Sequence, residues 1–301
     1  MPRASQLLTL SAVLAVLAFV HPRAASGQSS TDETLQEVTV TAQRANVAKQ
    51  VRKFVNQIAA QENEEGLPLW TQPVCPSVSG MNRQQGEFVL WRISEIARGA
   101  KIPLAGERCA PNLFILLTGR PEYLLRSMKE RNRVLAFGYQ QHSNVQSGET
   151  PDNVIEEFIT TPRAVRVWYN TDWRDSWGMT IGCSITGVCS TSHAEATRVQ
   201  LNVVYSFSRV FEIVDVSRLH GVTLRQFADY AGMEGLAKLK PYAGLGDSNT
   251  ILRLFDAAPG AAPAAMTDWD QAFLKSLYTT DQRVIQQRGK VANTVVQQLA
   301  R

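Results

Sequence analysis

Four cysteines, three histidines and one pair of aspartates are the residues whose types and spacing could do chemistry beyond the N-terminal leader. The cysteines are Cys75, Cys109, Cys183 and Cys189. An even set of thiols in an oxidising compartment reads as two disulfides. Four cysteines allow three pairings, and we expect the local one, Cys183 with Cys189 and Cys75 with Cys109. The competing chemistry is zinc, because Cys183, Cys189 and His193 fall within 11 residues. Their C-x5-C-x3-H spacing departs from the usual zinc patterns, and oxidation competes for the thiols. We therefore expect no metal and no cofactor.

The aspartates are Asp172 and Asp175, which flank Trp173 in NTDWRDSWG, with Trp168, Tyr169 and Trp177 nearby. Paired carboxylates beside aromatic platforms are the residue types of a sugar-cleaving site. A polar loop anchored by tryptophan packing explains the same string without chemistry. Of the remaining histidines, His142 has no informative context, and His220 follows an expected strand end, where sites can form. His220, Asp172 and Asp175 are the weak catalytic candidates. Neither G-x-S-x-G nor a P-loop occurs, and GLGDSN lacks the third glycine of a dinucleotide loop.

The N-terminus sets the compartment. Arg3 precedes an apolar run of 14 residues, Leu7 to Val20, followed by the small residues Ala24, Ala25, Ser26 and Gly27. Basic, apolar and small-residue regions in that order form a secretory signal peptide. The run is shorter than the roughly 20 residues of a membrane-spanning helix. We expect residues 1–27 to be removed and the mature chain to be periplasmic, with no integral membrane segment. Loss of Arg3 and Arg23 lowers the formal charge from +4 to +2. That near neutrality argues against a nucleic-acid partner.

The elements that must position these residues follow from periodicity. Val47, Val51, Phe54, Val55 and Ile58 make one helical stripe over 45–61. Val89, Ile93, Ile96 and Ala97 make a second over 82–100. NLFILLT (112–118) is a continuous apolar run, expected as a strand buried on both faces. Pro121 opens a helix to about Arg131, and Pro151 another to Phe158. AVRVWYN (164–170) alternates as a strand. We expect a break near Ser206–Ser208, then a strand from Val210 to Val216. Thr223 caps a helix running to Lys238, and Thr267 with Asp270 forms a capping box for the next. The expected fold class is α+β: a single mixed domain over 45–280, with buried central strands, flanking helices and a helical C-terminal tail over 281–301.

Residues 28–44 are expected to be a flexible arm. Within it, Glu37, Val38, Thr39, Val40 and Thr41 begin the string EVTVTAQR. This string resembles the TonB box of TonB-dependent outer-membrane receptors. The resemblance implies a partner, TonB or another envelope protein, bound by strand addition. Alternating Val and Thr side chains, with backbone groups free for edge pairing, suit that mode.

Nearly the whole mature chain resembles a group of exported proteins of Gram-negative bacteria with no established activity. The resemblance rests on FVNQIAA, WTQPVCPSVSG, the Cys109–Leu113 string, VDVSRLHGVTLRQFADYAGM and TDWDQAFLKSLY, and it supports pairing of Cys75 with Cys109. The layout also resembles that of secreted zincin-like proteins. The helix that would carry H-E-x-x-H reads LRQFADYAGMEGL and contains no histidine. Two imidazoles at i and i+4 put two ligands on one helix face, so this likeness implies a degenerate relative reused for binding. The expected function is that of a non-enzymatic periplasmic interaction protein, an accessory to TonB-linked envelope transport. An unrecognised hydrolase and a structural envelope protein are the alternatives.

Overall fold

The computed structural model describes residues 30–60, 66–137, 139–142, 145–149, 151–175, 203–241, 244–258, 260–282 and 286–300. The leader, the Cys183–Cys189 pair, Trp177 and His193 lie outside the described residues. In chain order the elements are α1 (Ser30–Ile58), β1 (Pro76–Ser79), α2 (Arg83–Gly99), β2 (Leu113–Thr118), α3 (Pro121–Phe137), β3 (Tyr139–His142), β4 (Val145–Glu149), α4 (Asp152–Thr160), β5 (Val165–Asp175), β6 (Val203–Asp215), α5 (Leu224–Leu236), α6 (Asp268–Thr279) and α7 (Gln287–Leu299). Helices and one mixed sheet make the chain α+β, as its sequence leads one to expect.

The main sheet has the order β1-β2-β6-β5. β1, β2 and β6 run parallel, and β5 pairs antiparallel with β6. β3 and β4 form a separate antiparallel pair. Strand alternation sorts side chains to two faces. Leu113 and Ile115 of β2, with Val210 and Val214 of β6, join the larger core under α1, α2, α5, α6 and α7. Phe114, Leu116, Phe211 and Ile213 face a smaller cluster with Leu125 of α3 and Ile155 and Ile159 of α4. Phe114 and Phe211 stack across the strand pair with centroids 4.9 Å apart. The unbroken apolar run of β2 thus follows from burial on both faces.

Helix ends follow the side-chain chemistry. Asn82 caps α2 by accepting from the Gln85 amide at 2.9 Å, and Val89, Ile93, Ile96 and Ala97 form its buried stripe. Thr223 with Gln226, and Thr267 with Asp270, complete capping boxes at α5 and α6. The Cys75–Cys109 disulfide, with Cα atoms 6.0 Å apart, closes a loop of sequence separation 34 across β1, α2 and the approach to β2. In the chain-entropy account such a loop stabilises by about 3–4 kcal/mol.

Three local expectations change. Leu35–Arg44, expected as an extended arm, is helical within α1. An isolated extended segment leaves its backbone groups without protein partners, whereas a helix satisfies them internally. Further along the same helix, Val51, Phe54, Val55 and Ile58 are buried in the core. The break expected near Ser206–Ser208 is only a local irregularity: β6 continues from Val203 to Asp215, but the ladder skips Ser208, since Thr171 pairs with Phe207 and Asn170 with Arg209. Ser206 is accommodated because Thr71 meets its hydroxyl at 2.6 Å, and Leu69 bridges the backbone on either side of it. Residues 171–175, expected as a loop, continue β5 past an irregularity at Asn170–Thr171. At the C-terminus, α7 buries Val291, Ala292 and Val295 in the main core.

Candidate functional site: a tyrosine–carboxyl cluster at the end of helix α5

The C-terminal turn of α5 is held by three aromatic donors from three parts of the chain. A helix leaves its last four carbonyls without intrahelical partners. Here Tyr169 Oη on β5 lies 3.0 Å from the Glu234 carbonyl. Trp70 Nε1 donates to the Gly235 carbonyl at 2.9 Å, and Tyr278 Oη to the Leu236 carbonyl at 2.7 Å. Trp70 and Tyr278 are themselves joined, since the Trp70 amide donates to Tyr278 Oη at 3.2 Å. The helix end is therefore tied to β5, to the segment before β1, and to α6.

Two carboxyls converge on this end. Glu234 Oε2 lies 2.9 Å from Tyr169 Oη, and Tyr230, one turn earlier on α5, also hydrogen-bonds the Glu234 carboxyl. Positions 230 and 234 share a helix face by their i, i+4 spacing. Glu212 approaches from β6, on the sheet face that carries Val210 and Val214. It has no solvent exposure, and neither of its carboxyl oxygens has a protein hydrogen-bond partner. Its Oε1 lies so close to α5 that a Cβ on Gly235 would meet it at 2.5 Å, with Leu113 methyls at 2.9 and 3.0 Å. Gly235 is what lets the carboxyl fit against the helix.

The electrostatics follow from this placement. Burial pushes the Glu212 carboxyl well above the usual carboxylate range, and the neighbouring Glu234 charge pushes it further. Burial raises Glu234 as well, while hydrogen bonds from Tyr169 and Tyr230 and the Arg163 charge pull it back. Both tyrosines are driven well above their ordinary value, first by burial and then by Glu234. A carboxyl without a partner in an apolar interior favours its neutral form.

The candidates drawn from sequence do not join this cluster or one another. Asp172 pairs across from Ser206 and Asp175 from Val203, while His220 sits exposed in the turn after β6. From Ser206 to the end of β6 at Asp215 the strand spans roughly 30 Å, at about 3.3 Å per residue. His220 and the aspartates therefore occupy opposite ends of the β5–β6 hairpin. Asp172 and Asp175 are an odd number of residues apart on one strand, so their side chains point to opposite faces. The tryptophans of this region pack structurally: Trp173 lies on Tyr205 with centroids 5.2 Å apart, and Trp168 sits edge-on to Phe137 and Phe158 at 5.0 and 4.8 Å. The side chain of His142 is outside the described residues.

Among the described residues no group of three or more His, Cys, Asp or Glu is arranged to hold a metal ion. No described helix is long and apolar enough to cross a membrane. The Glu37–Thr41 backbone is helical.

Tyr230 and Glu234 escaped the sequence reading, although the signal was present. A search for paired histidines at i and i+4 on α5 finds nothing, but the same spacing carries a tyrosine and a glutamate. Glu212, an acidic residue in the middle of the otherwise apolar stretch VFEIV, is the other legible mark of the cluster. Comparison with protein-family models, with curated proteins and with solved structures finds no match to this chain.

Proposed function

We propose that this chain is an exported, periplasmic interaction protein that engages TonB or another envelope protein through residues Glu37–Thr41. The observation that supports the reading is exposure at the end of that segment: Thr41 to Val47 are all exposed. The alternating Val and Thr residues suit an added strand, and the cystine at Cys75–Cys109 suits an oxidising compartment. The segment is helical in the free chain, so strand addition requires it to unwind. Binding is then coupled to a local conformational change, whose free-energy cost weakens the observed affinity.

The test uses the mature protein and the C-terminal domain of TonB in solution. We expect binding that is lost in Val40→Pro, because proline removes a ladder donor. A Thr39→Ala/Thr41→Ala variant, with stronger helix propensity, should bind more weakly than the wild type. No binding by the mature protein, or stronger binding by the alanine variant, would retire the reading.

A further inference from the structure

We propose that Glu212 and Glu234 are neutral acids in the folded protein and form a proton-operated latch, which holds the end of α5 to the β5–β6 hairpin and releases it as pH rises. Two geometric observations carry this.

The first concerns Glu212. It is wholly buried, has no protein hydrogen-bond partner at either oxygen, and crowds Gly235 from the same side as the methyls of Leu113. An ionised carboxylate in that setting lacks both water and a counter-charge, and proteins resolve this by keeping the proton. The second concerns hydrogen-bond arithmetic at Tyr169. Its hydroxyl lies 3.0 Å from the Glu234 carbonyl and 2.9 Å from the Glu234 carboxyl. A phenol has one proton to donate. Both contacts are fully made when Tyr169 donates to the carbonyl and a protonated Glu234 donates to Tyr169. An ionised Glu234 draws the single phenol proton to itself and leaves the helix carbonyl less well satisfied.

The groups facing the pair come from each packed element. Tyr230 shares α5 with Glu234, and Tyr169 comes from β5. Arg163 acts on Glu234 from just before β5, Asp256 acts on Tyr230 from beyond α5, and β2 contributes the apolar Leu113. Arg163 favours an ionised Glu234, so Glu234 is expected to give up its proton before Glu212. The first ionisation then opposes the second, because the two carboxyls repel each other once charged. A chain outside the cytoplasm meets ambient pH directly, and the latch would make the rigidity of the α5 end depend on it.

The experiment is hydrogen–deuterium exchange and urea unfolding of the whole mature protein between pH 5 and 8.5, comparing wild type with Glu212→Gln and Glu234→Gln. After correction for intrinsic base catalysis, wild-type amides at the end of α5 should exchange faster with rising pH. The unfolding equilibrium constant should shift by up to about tenfold per pH unit for each ionising carboxyl. Each single variant should remove one group's share of that dependence, and the double variant should leave only the share of Asp270, whose buried carboxyl is also raised. If either variant fails to fold, infrared spectroscopy of the wild type at neutral pH remains decisive. A protonated-carboxyl band that shifts in heavy water supports the latch. Absence of that band, or variants with the wild-type pH slope, overturns it.

Discussion

Tyr169 and Glu234 meet twice: the tyrosine hydroxyl reaches both the carboxyl and the backbone carbonyl of the same glutamate, at 2.9 and 3.0 Å. One side chain thus ends a helix and neighbours its titratable group. Tyr169→Phe keeps the ring, which packs at 5.8 Å from Phe207, and removes only the hydroxyl. A buried polar group left without its partner costs about 1–3 kcal/mol. We expect a loss in that range by urea unfolding at pH 6, with amide protection falling most at Leu236 and Ala237. Equal loss of protection along all of α5 would instead indicate a packing defect.

The pH dependence of stability has a sign that follows from the direction of the shifts. Glu212 and Glu234 both bind protons more tightly in the folded chain than at the ordinary value of 4.5. The folded state therefore keeps protons that the unfolded chain releases once pH passes that value. Their contribution is complete below about pH 4.5 and is lost as pH rises toward the folded-state values, by up to about 1.4 kcal/mol per unit per group. Glu156 works in the opposite sense. Hydrogen bonds from Lys129 and then Arg126 hold its carboxyl down, so its contribution fades as pH falls through the folded-state value. Chemical unfolding should thus show falling stability from pH 5 to 8, with a separate decline below pH 4.

Much of the body was legible because each local signal agreed with its packing. The stripe Val89, Ile93, Ile96, Ala97, the capping residues Asn82, Thr223 and Thr267, and the doubly buried run at β2 all needed only neighbours in sequence. The cluster was not legible, because its parts are brought together by tertiary contacts alone. Trp70, Tyr169, Gly235 and Tyr278 are spread over 208 residues between Trp70 and Tyr278, and no spacing rule joins them. Asp172 and Asp175 failed as a pair for a simpler reason. In a loop any two carboxylates can converge, whereas on a strand positions 172 and 175 turn apart.

The Cys75–Cys109 bridge makes a direct test of what holds β1 and β2. A Cys75→Ala/Cys109→Ala variant should lose about 2–4 kcal/mol. Cys75 is 4% exposed, and its amide accepts no help from the bridge, since it donates to Asn112 Oδ1 at 2.7 Å. The fold should therefore survive with a lower urea midpoint and an unchanged far-ultraviolet circular dichroism spectrum. Asn112→Ala in the reduced background should then be markedly worse than in the oxidised one, because the side chain also donates to the Pro73 carbonyl at 3.0 Å.

Asp229 anchors the other side of α5 and has no exposed side-chain surface. Arg92 donates to it from α2, the Met266 amide donates at 2.7 Å, and Arg225 lies 3.8 Å away. Removing one partner of a buried ion pair leaves an uncompensated charge, at a cost of about 3–5 kcal/mol. Arg92→Ala should therefore destabilise more than Asp229→Ala, because the carboxylate it leaves behind has no exposed surface, whereas an Arg92 left without Asp229 keeps 16% exposure and can rehydrate. Unfolding midpoints of the two single variants and the double variant would measure the coupling.

Gly235 offers the sharpest contrast between propensity and packing. Glycine to alanine is favourable by about 0.8–1 kcal/mol in a helix interior and by no more than that in the last turn, where Gly235 lies. At this position the added methyl would lie 2.5 Å from Glu212 Oε1 and 2.9 Å from a Leu113 methyl. Overpacking of that kind costs about 1–3 kcal/mol, and β2 and β6 are both too deeply buried to move freely. We expect Gly235→Ala to destabilise despite the propensity gain. In a Glu212→Ala background the carboxyl is gone and only the Leu113 contact remains, so the same substitution should cost at least 1 kcal/mol less. Additive effects in that double-mutant cycle would mean that Glu212 does not press against α5 at Gly235, and the close approach on which the latch depends would be lost with it.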